Sequence, residues 1–180
     1  MPDAETPGRM KFAVELANWR AAAAKNPLFR RGLAGAAAIA LLDQAVKYWI
    51  VDILRLPQRG KIELSGIFDL TYVQNRGASF GMLAGGAGSR IFLSLLSLVV
   101  AGFLIAWLAR LARPLAAAAV ALIIGGAVGN LVDRARFGYV VDFLDFSGLY
   151  FPWVFNVADA AINVGVALLI LDWLRERKRF

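Results

Sequence analysis

Four long apolar segments run through this 180-residue chain, and they constrain its fold more than any other feature of the sequence. They cover residues 33–53, 90–109, 114–132 and 157–174. Each has close to the ~20 residues that an α-helix needs to cross the ~30 Å hydrocarbon core of a bilayer. Inside that core a helix satisfies its own backbone hydrogen bonds, as a spanning segment must. The sequence therefore predicts an all-α polytopic membrane protein with four transmembrane helices.

The composition agrees with a membrane protein and narrows the possible chemistry. Hydrophobic residues make up 59% of the chain, and its mean hydropathy is +0.61, which is more apolar than an ordinary soluble domain. The chain has no Cys and no His, which excludes disulfides, Ser-His-Asp catalysis and the usual ligands of zinc. We expect no metal and no cofactor. Any catalysis must then use carboxylates, Lys, Ser, Thr or Tyr.

The distribution of Lys and Arg orients the predicted helices. The net charge is +7, but the basic residues flank the apolar segments instead of forming a patch with aromatic side chains. We therefore expect no binding to nucleic acid. An even number of helices leaves both termini on one side, and that side carries more Lys and Arg than the other. The positive-inside rule then places both termini in the cytoplasm.

The segment before the first apolar run is predicted to be a cytoplasmic extension. Residues 1–31 mix basic, acidic and small side chains, with a short helix expected at 10–24. Glu15 and Arg20 interrupt the apolar core that a cleaved signal peptide would need. Residues 32–176 are expected to form one domain.

Two segments are predicted to lie on the outer side of the membrane. Residues 60–85 show the alternation and turn residues of short strands, which predicts a small β-sheet on the outer membrane surface. Residues 134–156 are rich in aromatic side chains, as segments at a membrane interface often are. We expect this second segment to form a loop on the same surface.

Two aspartates, Asp142 and Asp159, lie in apolar surroundings near the predicted outer interface. A carboxylate at the centre of a membrane helix costs roughly 2.5–3.5 kcal/mol, and less near the interface. Two adjacent carboxyl groups cannot readily both ionise, so one keeps a proton, as in aspartic proteases. The alternative is that Asp142 caps a loop while Asp159 forms a buried ion pair with Arg134. Their spacing does not decide between the two.

Other polar residues are predicted to gather at the same surface. Asp43 and Lys47 lie four residues apart and can pair on one helical face, although such a pair can also be purely structural. Gly77 permits a sharp turn or a close backbone approach to a ligand. Asn130 and Arg134 also share a helical face, where the arginine could hold a peptide carbonyl or the aspartates.

Five sequence blocks, in this order, resemble the bacterial lipoprotein signal peptidase family, also called signal peptidase II. They are "DQAVK" (43–47), "NRGASFG" (75–81), "GGAVGNLVDR" (125–134), "GYVVDFLDF" (138–146) and "FNVADAAINVG" (155–165). The resemblance extends over about residues 33–174. One departure is Val46, which stands where the family often has a hydroxyl residue.

The resemblance implies an aspartic endopeptidase of the bacterial inner membrane that cuts prolipoproteins just before a cysteine carrying diacylglycerol. It implies that Asp142 and Asp159 are catalytic. It assigns supporting roles to Asp43, Lys47, Asn75, Asn130, Asp133, Arg134 and Asn156. It also implies a β-cradle at 60–85 and inhibition by the cyclic lipopeptide globomycin. We further expect a monomer that contacts membrane lipids, with segments 54–89 and 143–155 closing over the substrate.

Three other functions are consistent with parts of the sequence. A small proton-coupled transporter could use Asp43, Lys47, Asp142 and Asp159 as a relay, but transporters often carry internal repeats and this chain shows none. A membrane scaffold would not need paired aspartates. A Ser-Lys protease would use Lys47, but no serine lies obviously within its reach.

Overall fold

The computed structural model describes residues 7–77 and 87–177. Four of its helices are long and apolar enough to cross a membrane, which confirms the predicted fold class. The first is α2 (Pro27–Tyr48), which continues as a π-helical turn, Trp49–Ile53. The other three are α4 (Ala87–Leu108), α5 (Pro114–Phe137) and α6 (Val157–Arg177). The shorter helices are α1 (Pro7–Lys25) and α3 (Leu56–Arg59).

Local capping sets two helix boundaries that hydropathy placed elsewhere. The first membrane helix begins at Pro27 rather than near residue 33, because the Asn26 side chain accepts the N–H of Leu28 at 2.9 Å and proline is favoured in the first turn. The third membrane helix continues beyond residue 132 to Phe137, where Gly138 ends it with φ +81°.

The N-terminal helix α1 is attached to the rest of the bundle by two polar side chains. Trp19 donates from Nε1 to the carbonyl of Ala106 near the end of α4, at 3.1 Å. Asn26 donates from Nδ2 to the carbonyls of Ala109 and Leu111, at 3.0 and 2.9 Å. These three carbonyls lie at or just after the C-terminal end of α4, where backbone carbonyls lack partners within the helix. The extension therefore packs on the end of α4 opposite the sheet.

Small residues let the membrane helices pack closely around α5, which contacts α2, α4 and α6. A Cβ atom at Gly125 would lie 2.6 Å from the carbonyl oxygen of Ala36 on α2. A Cβ atom at Gly126 would clash with the carbonyl oxygen of Ala158 on α6. Close backbone approach at small residues is a common mode of helix packing in membranes. This close packing brings polar residues of α2, α5 and α6 together at one end of the bundle.

A four-stranded antiparallel sheet covers that end, in the order β1 (Lys61–Glu63), β2 (Asp69–Asn75), β3 (Val140–Asp145) and β4 (Val154–Phe155). The last two strands come from the segment predicted to be a loop, so that prediction was wrong for residues 140–145 and 154–155. The run "VVDFLD" is buried along nearly its whole length, as in a strand covered on both faces. Residues 78–86 lie outside the described residues; they include parts of the predicted β-cradle, of the 75–81 block and of the segment 54–89 that is expected to close over the substrate.

Candidate active site

The two aspartates lie at the sheet end of the bundle and share one neighbour. Asp142 lies within β3 and is only 2% exposed, whereas Asp159 lies in the first turn of α6 and is half-buried. Asn156 donates from Nδ2 to Oδ1 of Asp142 at 2.7 Å, and from its backbone N–H to Oδ2 of Asp159 at 3.3 Å. The strand–helix connection at Asn156 therefore links two carboxyl groups that sequence periodicity could not pair.

A second amide, that of Asn130 on α5, extends this network. Its Nδ2 donates to Oδ1 of Asp159 at 2.7 Å. Its Oδ1 accepts hydrogen bonds from Nδ2 of Asn156 at 3.2 Å and from Nζ of Lys47 at 3.4 Å. Each aspartate thus accepts a 2.7 Å hydrogen bond from an amide, and the two amides bond to each other. A connected network of this kind fixes the orientation of both carboxyl groups.

Beneath the amides, Lys47 lies between two carboxylates. Its Nζ is 2.9 Å from Oδ2 of Asp43 and 2.7 Å from Oδ2 of Asp133. All three side chains are buried, with residue exposures of 3%, 0% and 0%. The i, i+4 pairing of Asp43 with Lys47 is observed as predicted, but Asp133 is a second partner that the sequence did not reveal. Buried charges are costly unless they are paired in this way.

Carboxylate oxygens of this ion triad (Asp43, Lys47 and Asp133) hold the backbone next to each aspartate of the pair. Oδ1 of Asp43 accepts the N–H of Ala158 at 2.9 Å, one residue before Asp159. Oδ2 of Asp133 accepts the N–H of Val141 at 3.0 Å, one residue before Asp142. The triad therefore anchors the start of α6 and the strand β3 to the same lysine.

Two further residues of the site were missed from the sequence. Gln44 donates from Nε2 to Oδ1 of Asp133 at 2.8 Å, and also to Asp43 and to the carbonyl of Gly129, both at 3.2 Å. A Cβ atom at Gly129 would lie 2.6 Å from Oδ2 of Asp43, so this position has room only for glycine. Two features of the sequence could have pointed to these residues: Gln44 is adjacent to Asp43, and Gly129 directly precedes Asn130.

The remaining predicted site residues lie around this network. Asn75 ends β2 opposite Val140, and its Oδ1 accepts the N–H of Gly77 at 2.9 Å. Gly77 has φ +79°, a left-handed conformation that glycine adopts without strain. Arg134 is half-buried on α5. Among the described residues no ion pair joins it to Asp159, so the buried pair considered as an alternative is not observed.

The surroundings of Asp142 favour its protonated form. Burial, followed by the negative charge of Asp159, raises the pKa of Asp142 to about 7. Hydrogen bonds from Asn75 and Asn156, and the charge of Lys47, act in the opposite direction but do not cancel the effect. Near neutral pH the two carboxyl groups can therefore hold one proton between them, which two isolated carboxyl groups in water would not.

The fold and the site define a class of protein: a multi-pass membrane protein with two carboxyl groups joined by shared amides at one end of a helical bundle. The family model described as signal peptidase (SPase) II matches residues 35–175. The chain belongs to that family.

Curated relatives and solved structures agree with this assignment. The chain is 49% identical to the lipoprotein signal peptidase of Caulobacter vibrioides over 138 residues, which are 76% of this chain and 82% of the relative. It is 46% identical to that of Sphingopyxis alaskensis over 151 residues, 82% and 87% of the two chains. A bacterial membrane enzyme solved by the in meso method at 2.3 Å resolution superposes with a TM-score of 0.71 at 27% identity, covering 83% of this chain and 90% of that one.

These matches confirm the resemblance read from the five sequence blocks. The protein is a bacterial multi-pass membrane peptidase, and its activity is the removal of signal peptides from prolipoproteins. The family assignment favours this function over the transporter, the scaffold and the Ser-Lys protease.

Proposed function

We propose that Asp142 and Asp159 form the catalytic pair and that the enzyme cuts diacylglyceryl-modified prolipoproteins on the N-terminal side of the lipidated cysteine. One observation carries this proposal: two carboxyl groups, each held by a 2.7 Å amide hydrogen bond, meet through Asn156. Because its pKa is raised to about 7, the carboxyl group of Asp142 can supply a proton near neutral pH. The substrate class follows from family membership.

In the proposed reaction the pair carries one proton and activates water. The ionised carboxylate takes a proton from water as the water oxygen bonds to the scissile carbonyl carbon. The protonated carboxyl group donates to the carbonyl oxygen, which stabilises the tetrahedral intermediate. When the C–N bond breaks, the carboxyl group that took the proton from water gives it to the leaving nitrogen, and the other carboxylate takes back the proton of the former carbonyl oxygen, which restores the pair. Asn130 and Asn156 keep both carboxyl groups oriented throughout, and the ion triad anchors their backbones.

We propose further that both termini lie in the cytoplasm and that the site faces the outer side of the inner membrane. The excess of Lys and Arg on the side of the termini supports this orientation. A signal peptide spanning the membrane would then place its scissile bond beside the sheet, while the acyl chains of the modified cysteine remain in the bilayer. We propose that residues 1–31 are a cytoplasmic extension to a single peptidase domain. The enzyme acts as a monomer and binds a globomycin-type inhibitor at the same site.

The test is cleavage of a purified diacylglyceryl-modified prolipoprotein in detergent. The wild type is compared with Asp142→Asn and Asp159→Asn, with and without EDTA. Asp52→Asn is the matched control, because Asp52 is an exposed carboxylate in the π-helical turn at the same end of the bundle. We expect Asp142→Asn and Asp159→Asn each to lose roughly 10²–10⁴-fold in kcat, which is the usual contribution of acid–base catalysis.

The control variant and EDTA should leave the rate near that of the wild type. Folding of each variant is checked by its thermal unfolding transition, so that inactivity cannot be ascribed to misfolding. A folded Asp142→Asn or Asp159→Asn variant that cleaves at close to the wild-type rate would remove that residue from the mechanism.

A further inference from the structure

A groove runs between α2 and α5 at the end of the bundle opposite the candidate active site. Its volume is about 560 Å³. Its lining combines small residues with the larger apolar side chains of Leu28, Ile39 and Leu122. The small residues that line it are Gly32, Gly35, Ala38, Ala117, Ala118 and Ala121. Because Gly35 and Ala121 carry so little side chain, the helices leave a narrow apolar channel open to the surface.

The length of this groove matches one leaflet of a bilayer. On α2 it extends from Leu28 to Ile39, which at 1.5 Å per residue corresponds to roughly 16 Å. Half of the hydrocarbon core is roughly 15 Å thick. The groove begins at the first turns of α2 and α5, where both helices start at the same end of the bundle. An acyl chain of the leaflet next to the chain termini could lie along its whole length.

One charged residue lines the groove, and it lies near the groove's outer end, from where its long side chain can reach the headgroup level. Arg31 is exposed in the second turn of α2, while every other lining residue is apolar. A guanidinium at this depth can bind the phosphate of a lipid headgroup by charge-assisted hydrogen bonds. The signal peptide of a substrate is a poorer occupant, because its n-region is itself positively charged and would meet Arg31 at this end.

We propose that this groove is a binding site for an anionic phospholipid, with an acyl chain between α2 and α5 and the headgroup phosphate on Arg31. The leaflet concerned is the cytoplasmic one if the orientation proposed above holds, but binding itself does not depend on that orientation. The lipid groove is separate from Asp142 and Asp159, so a failure of this proposal would leave the proposed catalysis intact.

The charge contact is tested by native mass spectrometry of the full-length protein with added phosphatidylglycerol or phosphatidylcholine. Arg31→Gln is compared with Arg30→Gln, which removes the same charge from the next residue, outside the groove. We expect Arg31→Gln to weaken retention of phosphatidylglycerol about fivefold, as roughly 1 kcal/mol per basic residue implies. Arg30→Gln should change it less than twofold. An equal loss in both variants would indicate general surface attraction and would overturn the proposal.

The groove itself is tested with Ala38→Phe, which fills it, against Ala37→Phe, which places the same ring on a neighbouring exposed position of α2. We expect only Ala38→Phe to lose the retained phosphatidylglycerol, while both variants keep their unfolding temperature and kcat. If Ala38→Phe instead raises KM for the prolipoprotein and retains lipid normally, the groove holds the signal peptide helix and the lipid proposal is wrong.

Discussion

At the scale of single residues, the site depends on how buried charges are balanced. Lys47 offers one positive charge to two carboxylates, and all three groups are out of contact with water. The sequence could predict the Asp43–Lys47 pair because four residues is one helical turn. It could not predict Asp133, which lies on a different helix and meets Lys47 only through the packing of α2 on α5.

Replacing Lys47 by methionine should therefore greatly reduce both the stability and the activity of the enzyme. Lys47→Met leaves Asp43 and Asp133 buried without their cation, which we expect to lower the free energy of unfolding by about 3–5 kcal/mol and to abolish cleavage. Lys61→Met is the matched control: Lys61 lies 2.8 Å from Asp69 but is exposed, so the loss of this solvent-screened pair should lower stability only slightly. Both values can be measured by denaturant or thermal unfolding in detergent. Similar losses for the two variants would contradict this account of the triad.

The raised pKa of Asp142 also predicts a pH dependence of stability. Its folded-state pKa of about 7 lies above the ordinary value of 3.8, so the folded state holds this proton more tightly than the unfolded state. The resulting stabilisation is complete below about pH 4 and is lost as the pH rises through 7.

Asp142→Asn removes this titration, because an amide stays neutral and can still accept the hydrogen bond from Asn156. We expect the variant to exceed the wild type in unfolding free energy by about 1–3 kcal/mol at pH 8, with little difference at pH 4. Thermal unfolding at both pH values measures the change, with Asp52→Asn as control. A difference that is the same at pH 4 and pH 8 would show that Asp142 does not titrate in this range.

At the scale of helices and strands, hydropathy located the membrane helices, but local chemistry set their ends. Asn26 and Gly138 cap helices several residues beyond the ends that the apolar segments had suggested, near residues 33 and 132. The strand at Val140–Asp145 was missed because its apolar, aromatic run reads equally well as a surface loop. It becomes a strand only through its pairing with β2, in which Val73 lies opposite Asp142, and with β4, in which Phe155 lies opposite Leu144.

Helix packing at Gly129 is predicted to be as important to the site as the charged residues. A methyl group there would lie 2.6 Å from Oδ2 of Asp43 and 3.3 Å from Cβ of Ala158, so Gly129→Ala must displace the triad or α6. We expect a loss of about 1–3 kcal/mol in unfolding free energy and a large fall in kcat. Gly102→Ala on α4 meets nothing within 4 Å and should be neutral or stabilising by up to about 1 kcal/mol. Equal behaviour of the two variants, compared by unfolding and by cleavage, would argue against close packing at Gly129.

At the scale of the whole molecule, the helices α2, α5 and α6 and the strand β3 bring site residues that are far apart in the sequence, from Asp43 to Asp159, to one end of the bundle. The membrane class followed from the apolar segments alone, and the site residues followed from their resemblance to a known family. The contacts among them could not be predicted, because Asn130 and Asn156 meet only when α5, α6 and β3 are packed together. Gln44 was missed for the same reason, since all but one of its hydrogen bonds are to α5.

The most direct test of the central claim is the pKa of Asp142, measured by NMR titration of ¹³C-labelled aspartate carboxyl groups in the wild type and in Asp159→Asn. A coupled pair predicts a pKa near 7 in the wild type. In the variant it should fall, because the charge of Asp159 is gone, yet remain above the ordinary range because Asp142 is still buried. A wild-type pKa near 4, or a value that does not change in Asp159→Asn, would contradict the proposal that the two carboxyl groups work as one acid–base pair.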